Sequence, residues 1–84
     1  MYLIVFSREA EKEISKLKKD VQKRIFNSLN RIKVDPHKHI ERLVGLPYYK
    51  LRAGDYRLIL SVKVAESIIL IAKIGHRKNI YKNL

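Results

Sequence analysis

Lys50, Arg52 and Arg57 stand on either side of Gly54-Asp55, and their spacing is the first pattern in the chain that could do chemistry. The stretch Tyr49-Lys50-Leu51-Arg52-Ala53-Gly54-Asp55-Tyr56-Arg57-Leu58-Ile59-Leu60 alternates apolar and polar residues around that pair. Such alternation on both sides of a tight turn predicts a β-hairpin. Side chains alternate faces with a period of two, so Lys50 and Arg52 share one face. With Gly54-Asp55 as the loop, Arg52 stands opposite Arg57 and Lys50 opposite Ile59. Like charges directly opposed on a sheet are destabilising. A bound polyanion accounts for three cations crowded on one face. The guanidinium is a planar, permanently charged fork that suits phosphate. Lys50, surrounded by like charge, is expected to hold its proton less tightly than a free lysine and so to serve as a base near neutrality. Downstream, Gly75-His76-Arg77-Lys78-Asn79-Ile80-Tyr81 adds cations, a histidine and an aromatic ring.

The charge of the whole chain agrees with an anionic partner. Its 84 residues carry a net charge of +11, with 9 Lys/Arg against 5 Asp/Glu in residues 1–35 and 10 against 3 in residues 36–84. The half that holds the hairpin is the more one-sided. Nucleic acid, an anionic membrane or an acidic protein are the partners such a surface attracts. A solvated Lys- and Glu-rich surface of a thermophilic protein would give a similar sum. There is no cysteine, which excludes disulfides and thiolate metal sites and fits a reducing compartment. The longest apolar run ends at Lys73 and is too short for a transmembrane helix. The run Tyr2–Phe6 is too short for a signal-peptide core and has no basic segment before it. The expectation is a soluble cytoplasmic protein of one domain, residues 1–84, without metal or small-molecule cofactor and without a membrane partner.

The elements that must position these residues follow from periodicity. Tyr2–Phe6 reads as a buried strand. Ser7 is a good N-cap, and Glu9, Glu11 and Glu13 suit the start of a helix. Ala10, Ile14 and Leu17 form its apolar stripe, and Lys18-Lys19 its C-terminal end. Asp20 is expected to cap a second helix with the stripe Val21, Ile25, Leu29 and Ile32, which Pro36 stops. Residues 36–47 read as a loop whose Ile40, Leu43, Val44 and Leu46 tuck onto the core. Strands are expected over about 48–53, 56–63 and 67–74, with Ile68, Leu70, Ala72 and Ile74 on the core face of the last. The order βααβββ predicts an α+β fold, a helical hairpin packed on one face of an antiparallel sheet. The opposite face is left for the cations.

This order and three motifs resemble the RelE/ParE superfamily of toxin–antitoxin toxins, and within it the RelE branch in a short, archaeal-type form. The motifs are Leu43-Val44-Gly45-Leu46-Pro47, the hairpin Tyr49–Arg57, and Ile74-Gly75-His76-Arg77-Lys78-Asn79-Ile80-Tyr81. The resemblance implies a metal-independent endonuclease that cuts messenger RNA in the decoding site of the ribosome, held in check by an acidic RelB-like antitoxin. It implies Lys50 as base or charge stabiliser, Arg57 on the scissile phosphate, Arg77 at the leaving group, and Tyr81 stacked on the substrate nucleotide. Tyr48, Arg52 and Lys78 join them as RNA contacts. Two departures stand out. Relatives carry a second lysine where Tyr48 stands, and Tyr81 follows Arg77 at a shorter spacing here.

The chemistry can be argued without the family. RNA cleaves itself when its 2′-OH attacks the adjacent phosphate in line. A protein promotes this by holding the geometry, taking a proton, stabilising added negative charge and helping the leaving oxygen. Arginine is a poor proton donor, so Arg77 more safely stabilises charge. No carboxylate–histidine pair of the usual nuclease kind is visible, which implies that another body, such as the ribosome, orients the RNA. Two other functions fit the same residues: a ParE-like poison of DNA gyrase without nuclease activity, and a non-toxic nucleic-acid-binding module. Plainer readings stand beside the sharp ones. His37 and His39 make a poor metal site without carboxylates or cysteines. His76 fits a structural hydrogen bond at the sheet end or an acid–base role. Arg52 is either a phosphate contact or an antitoxin contact. Lys12, Lys16, Lys19 and Lys23 fit a solvated helical face or electrostatic docking to ribosomal RNA.

Overall fold

Apolar stripes on the two helices and alternating apolar positions on the strands can be buried only against each other, and that pairing organises the molecule. The computed structural model describes residues 1–82, so the last two residues of the expected 1–84 domain lie outside the described residues. In chain order the elements are β1 (Leu3–Phe6), α1 (Arg8–Ser15), α2 (Lys19–Ile32), β2 (Glu41–Arg42), β3 (Tyr49–Ala53), β4 (Tyr56–Lys63) and β5 (Ile68–His76). Short 3-10 turns at Pro36–Lys38 and Val64–Glu66 complete the path. One sheet has the strand order β1-β5-β4-β3-β2. The helices cover one face, where Ala10, Ile25, Leu29 and Ile32 meet Leu51, Leu58, Leu60, Ile69, Ile71 and Ile74. No helix among the described residues is long and apolar enough to cross a membrane.

The expected hairpin is present with the expected register. Lys50 pairs with Ile59, Leu51 with Leu58 and Arg52 with Arg57 across β3 and β4. Gly54 takes φ +63°, the left-handed conformation that the turn requires and that glycine adopts without a Cβ penalty. Ser7 caps α1 as expected, its Oγ accepting from the Ala10 amide at 3.0 Å. The same hydroxyl donates to the Ala72 carbonyl at 2.8 Å, so one side chain ties the helix start to β5.

The sheet is mixed rather than wholly antiparallel, because β1 runs parallel to β5. Its direction is set at both ends: the Leu3 amide donates to the Ser67 carbonyl and the Ser7 amide to Ile71. Alternation specifies which face a side chain takes and says nothing about strand direction. The core face of β5 also differs from expectation. Ile69, Ile71 and Ile74 are buried, whereas Ile68, Leu70 and Ala72 are only partly so. Pairing steps from Ile59–Lys73 to Leu60–Ile71, which leaves Ala72 as the extra residue of a β-bulge and reverses the parity across it.

The helical break lies earlier than expected. α1 ends at Ser15, Lys18 occupies the N-cap of α2, and Asp20 sits in its first turn instead of capping it. Gln22 joins the helices: its Nε2 donates to the Ile14 carbonyl at 2.7 Å and to Leu17 at 3.2 Å, satisfying carbonyls that the end of α1 leaves open. In the segment read as a loop, β2 adds a fifth strand too short to show a period. Ile40 is buried, and Leu43 and Leu46 are half-buried. Val44, expected on the core, is 99% exposed, at the tip of a turn where Gly45 has φ +77°.

Candidate nucleic-acid interface

The face of the sheet away from the helices carries the cations. Register places Arg52 directly opposite Arg57, with Gly75 of β5 next in the row. The neighbouring row runs Glu41, Lys50, Ile59, Lys73 across β2, β3, β4 and β5. Lys50 therefore shares a face with Arg52 and Arg57, as the spacing predicts. Its ammonium has a partner the sequence did not reveal: the Nζ lies 3.6 Å from Glu41 Oε2.

Arg57 is held at the hairpin turn through one nitrogen. Its Nη1 donates to the Gly54 carbonyl at 2.7 Å and to the Tyr56 carbonyl at 2.9 Å. Arg77 is brought to the same turn from the other end of the chain. Its amide donates to the Asp55 carbonyl at 2.8 Å, and its Nε lies 3.9 Å from Asp55 Oδ1. The hairpin tip thus clasps the segment after β5 and sets Arg77 beside Arg57. A helical arginine also reaches this point: a Cβ on Gly54 would meet Arg24 Nη1 at 2.7 Å.

The outer face is partly covered, which the sequence reading did not anticipate. Ile59 faces outward by register yet is 1% exposed, and Ile80 is 3% exposed. A Cβ on Gly75 would lie 3.0 Å from Ile80 Cδ1, so the bare glycine is what lets Ile80 settle on the strand. Amides of Asn79 and Ile80 bond to the His76 carbonyl and close the turn that carries it. Lys73 Nζ reaches the Lys82 carbonyl at 3.4 Å, and Tyr81 is left 42% exposed beside the cations. Lys78 and Arg52 are exposed, and Tyr48, just before β3, is half-buried.

His76 is occupied structurally. Its Nδ1 accepts from the Lys78 amide at 3.2 Å, and its ring meets Tyr56 edge-on with centroids 5.6 Å apart. His37 packs edge-on to Tyr49 at 5.7 Å, and the described residues contain no group of three His, Cys, Asp or Glu side chains that could hold a metal. The structure therefore brings Lys50, Arg52, Arg57 and Arg77 to one end of one face, with Lys78 and Tyr81 on the adjoining turn. Sequence reasoning missed Glu41, Lys73, Arg24 and the burial of Ile59 and Ile80 on the outer face. For Ile80 an apolar residue between Asn79 and Tyr81 was the available signal. The arrangement suits a phosphodiester: guanidinium forks at the hairpin tip, an ammonium one row away, and an aromatic ring for a base.

Comparison with known proteins gives this geometry a family. The family model of the ParE toxin of type II toxin-antitoxin system, parDE, matches residues 4–81. No curated protein sequence matches the chain. Among solved structures, the Escherichia coli RelBE toxin-antitoxin complex contains a chain 27% identical, with 90% of this chain and 96% of that one covered and a TM-score of 0.79. The isolated E. coli RelE toxin is 28% identical, covering 90% and 84%, with a TM-score of 0.80. The archaeal RelE–RelB complex from Pyrococcus horikoshii OT3 is similar at 26% identity, 93% and 97% coverage, and a TM-score of 0.78. With its βαα order, its five-stranded sheet and its match over nearly the whole length, the chain belongs to the ParE/RelE toxin family of type II toxin-antitoxin systems.

Proposed function

We propose that this toxin is a ribosome-dependent endoribonuclease that cuts messenger RNA without a metal and thereby stops translation in the cytoplasm. The observation that carries this reading is the directly opposed Arg52–Arg57 pair, with Lys50 one row away and Arg77 clasped to the same turn. A fold gains nothing from opposing two guanidinium groups. A bound phosphate anion offsets the repulsion between them. Arg57 holds the scissile phosphate, Arg77 stabilises charge on the leaving oxygen, Lys50 stabilises charge or takes a proton, and Tyr81 stacks on the nucleotide. Tyr48, Arg52 and Lys78 extend the contact along the RNA.

The resemblance to RelE chains found in RelE–RelB complexes supports a RelB-like antitoxin as partner. The outer face fits an acidic, amphipathic segment: Leu3 and Val5 are exposed beside Ile68 and Leu70, and this apolar half adjoins the cationic half. Electrostatic complementarity then speeds and orients association. Mapping message ends in translation extracts tests the reading. Cuts within ribosome-bound codons, and little cutting of naked RNA, are expected. The matching family model is the ParE one, which favours poisoning of DNA gyrase as the second reading. Growth arrest with intact messages and inhibited gyrase supercoiling would select it.

A further inference from the structure

Lys50 does not stand alone on the cationic face. Glu41 is its register partner across β2 and β3, and the two head groups lie 3.6 Å apart. Directly paired residues of adjacent strands project to the same face, so Glu41 points where Arg52 and Arg57 point. Its side chain is 73% exposed and that of Lys50 35%, which leaves the carboxylate open to a bound molecule. The other anion near the cluster, Asp55, sits in the hairpin turn beyond the paired rows, 3.9 Å from Arg77, and so does not share the row of Lys50; His76 Nδ1 accepts from the Lys78 amide. A carboxylate is ionised at neutral pH and accepts protons in that ordinary state, whereas an ammonium accepts none until it has lost one.

We infer that Glu41, rather than Lys50, takes the 2′-hydroxyl proton in the cleavage reaction, with Lys50 kept as a cation. The inference rests on the nuclease reading above and names its base. Glu41 and Arg57 stand two strand spacings apart, about 10 Å, and two residues apart along the strands, about 7 Å, so roughly 12 Å separates their backbones. Side chains converging across that width frame roughly one nucleotide, with its ribose toward Glu41 and its phosphate toward Arg57. In the reaction the 2′-OH gives its proton to a Glu41 oxygen as the 2′-oxygen bonds to phosphorus. The bond from phosphorus to the 5′-oxygen breaks, and that oxygen takes a proton from water. The products are a 2′,3′-cyclic phosphate and a 5′-hydroxyl, and Glu41 returns its proton to solvent. Lys50 and Arg57 stabilise the charge that builds on the phosphoryl oxygens.

Two isosteric or charge-conserving substitutions separate the roles. Glu41→Gln keeps shape and removes the acceptor. Lys50→Arg keeps positive charge and removes any capacity to act as a base at ordinary pH. Cleavage of a programmed message on purified ribosomes is measured at saturating toxin, with a thermal melt of each variant as the folding control. Glu41→Gln is expected to lose about a hundredfold or more in rate while melting like the parent. Glu41→Asp is expected to recover part of that loss, and Lys50→Arg to cut faster than Lys50→Ala because the positive charge is kept. The assignment is overturned if Glu41→Gln cuts at the parental rate, or if Lys50→Arg is no more active than Lys50→Ala. An unaltered protein that does not cut at all overturns the nuclease reading, and this inference with it.

Discussion

Arg57→Ala separates binding chemistry from folding, because the structure sets its stabilising and destabilising contributions against each other. Removing the side chain abolishes the contact with Arg52 directly opposite, a like-charge pairing whose relief is worth about 0.2–1 kcal/mol. It also removes the bonds from Nη1 to the Gly54 and Tyr56 carbonyls, one of them exposed. Each is worth about 0.5–1.5 kcal/mol at most, and water replaces them readily at the surface. The net change is within about 1 kcal/mol, a melting shift of no more than about 8 °C for a chain of this size. Activity should respond on another scale. Loss of a preorganised charge at the phosphate typically costs about a hundredfold, near 2.7 kcal/mol of transition-state stabilisation. The assay pairs a thermal melt with cleavage of ribosome-bound message. A folded Arg57→Ala protein that cuts as fast as the parent would refute the reasoning, because the opposed arginines would then have no anion to serve. A loss of several kcal/mol in stability would refute it differently, by showing that the pair is structural.

The other expectations concern how the fold holds this face in place. Leu58 is fully buried between the helices and the sheet, so Leu58→Ala should lower stability by about 2–5 kcal/mol in denaturant unfolding. Gly54→Ala places a Cβ at φ +63° and against the Arg24 guanidinium, which is flexible and can swing aside; the backbone term alone should cost about 1–2 kcal/mol in the same measurement. Ile80→Ala should remove the packing of Ile80 over Gly75 and loosen the turn that carries Tyr81, lowering cleavage more than global stability; protease sensitivity confined to the C-terminal segment would register the change.

Most of what positions this face was legible because it rests on short-range chemistry. The Gly54-Asp55 turn and the alternation around it fix the hairpin register, and register alone opposes Arg52 to Arg57. Ser7 and the helical stripes depend on spacing within a few residues, and they too came out as read. What stayed hidden depends on partners distant in the chain. The bulge at Ala72 is unmarked by any glycine or proline. At it Ser7, 65 residues earlier, bonds to the Ala72 carbonyl, and the step in register lets both Leu60 and Ile71 face the helices. That single extra residue decides which side chains of β5 face the core and which face the cations. Without it, Lys73 would point toward the helices and Ile74 away from them. With it, Lys73 joins the row that holds Lys50 and Ile59, Gly75 joins the row of arginines, and Arg77 continues to the turn where Asp55 holds it. Glu41 was hidden for a related reason. A two-residue strand has no period to read, so only pairing with β3 shows that its carboxylate belongs to Lys50. The charges of the face were therefore visible in the sequence, while the acceptor among them and the parity that completes the cluster were fixed by tertiary contact.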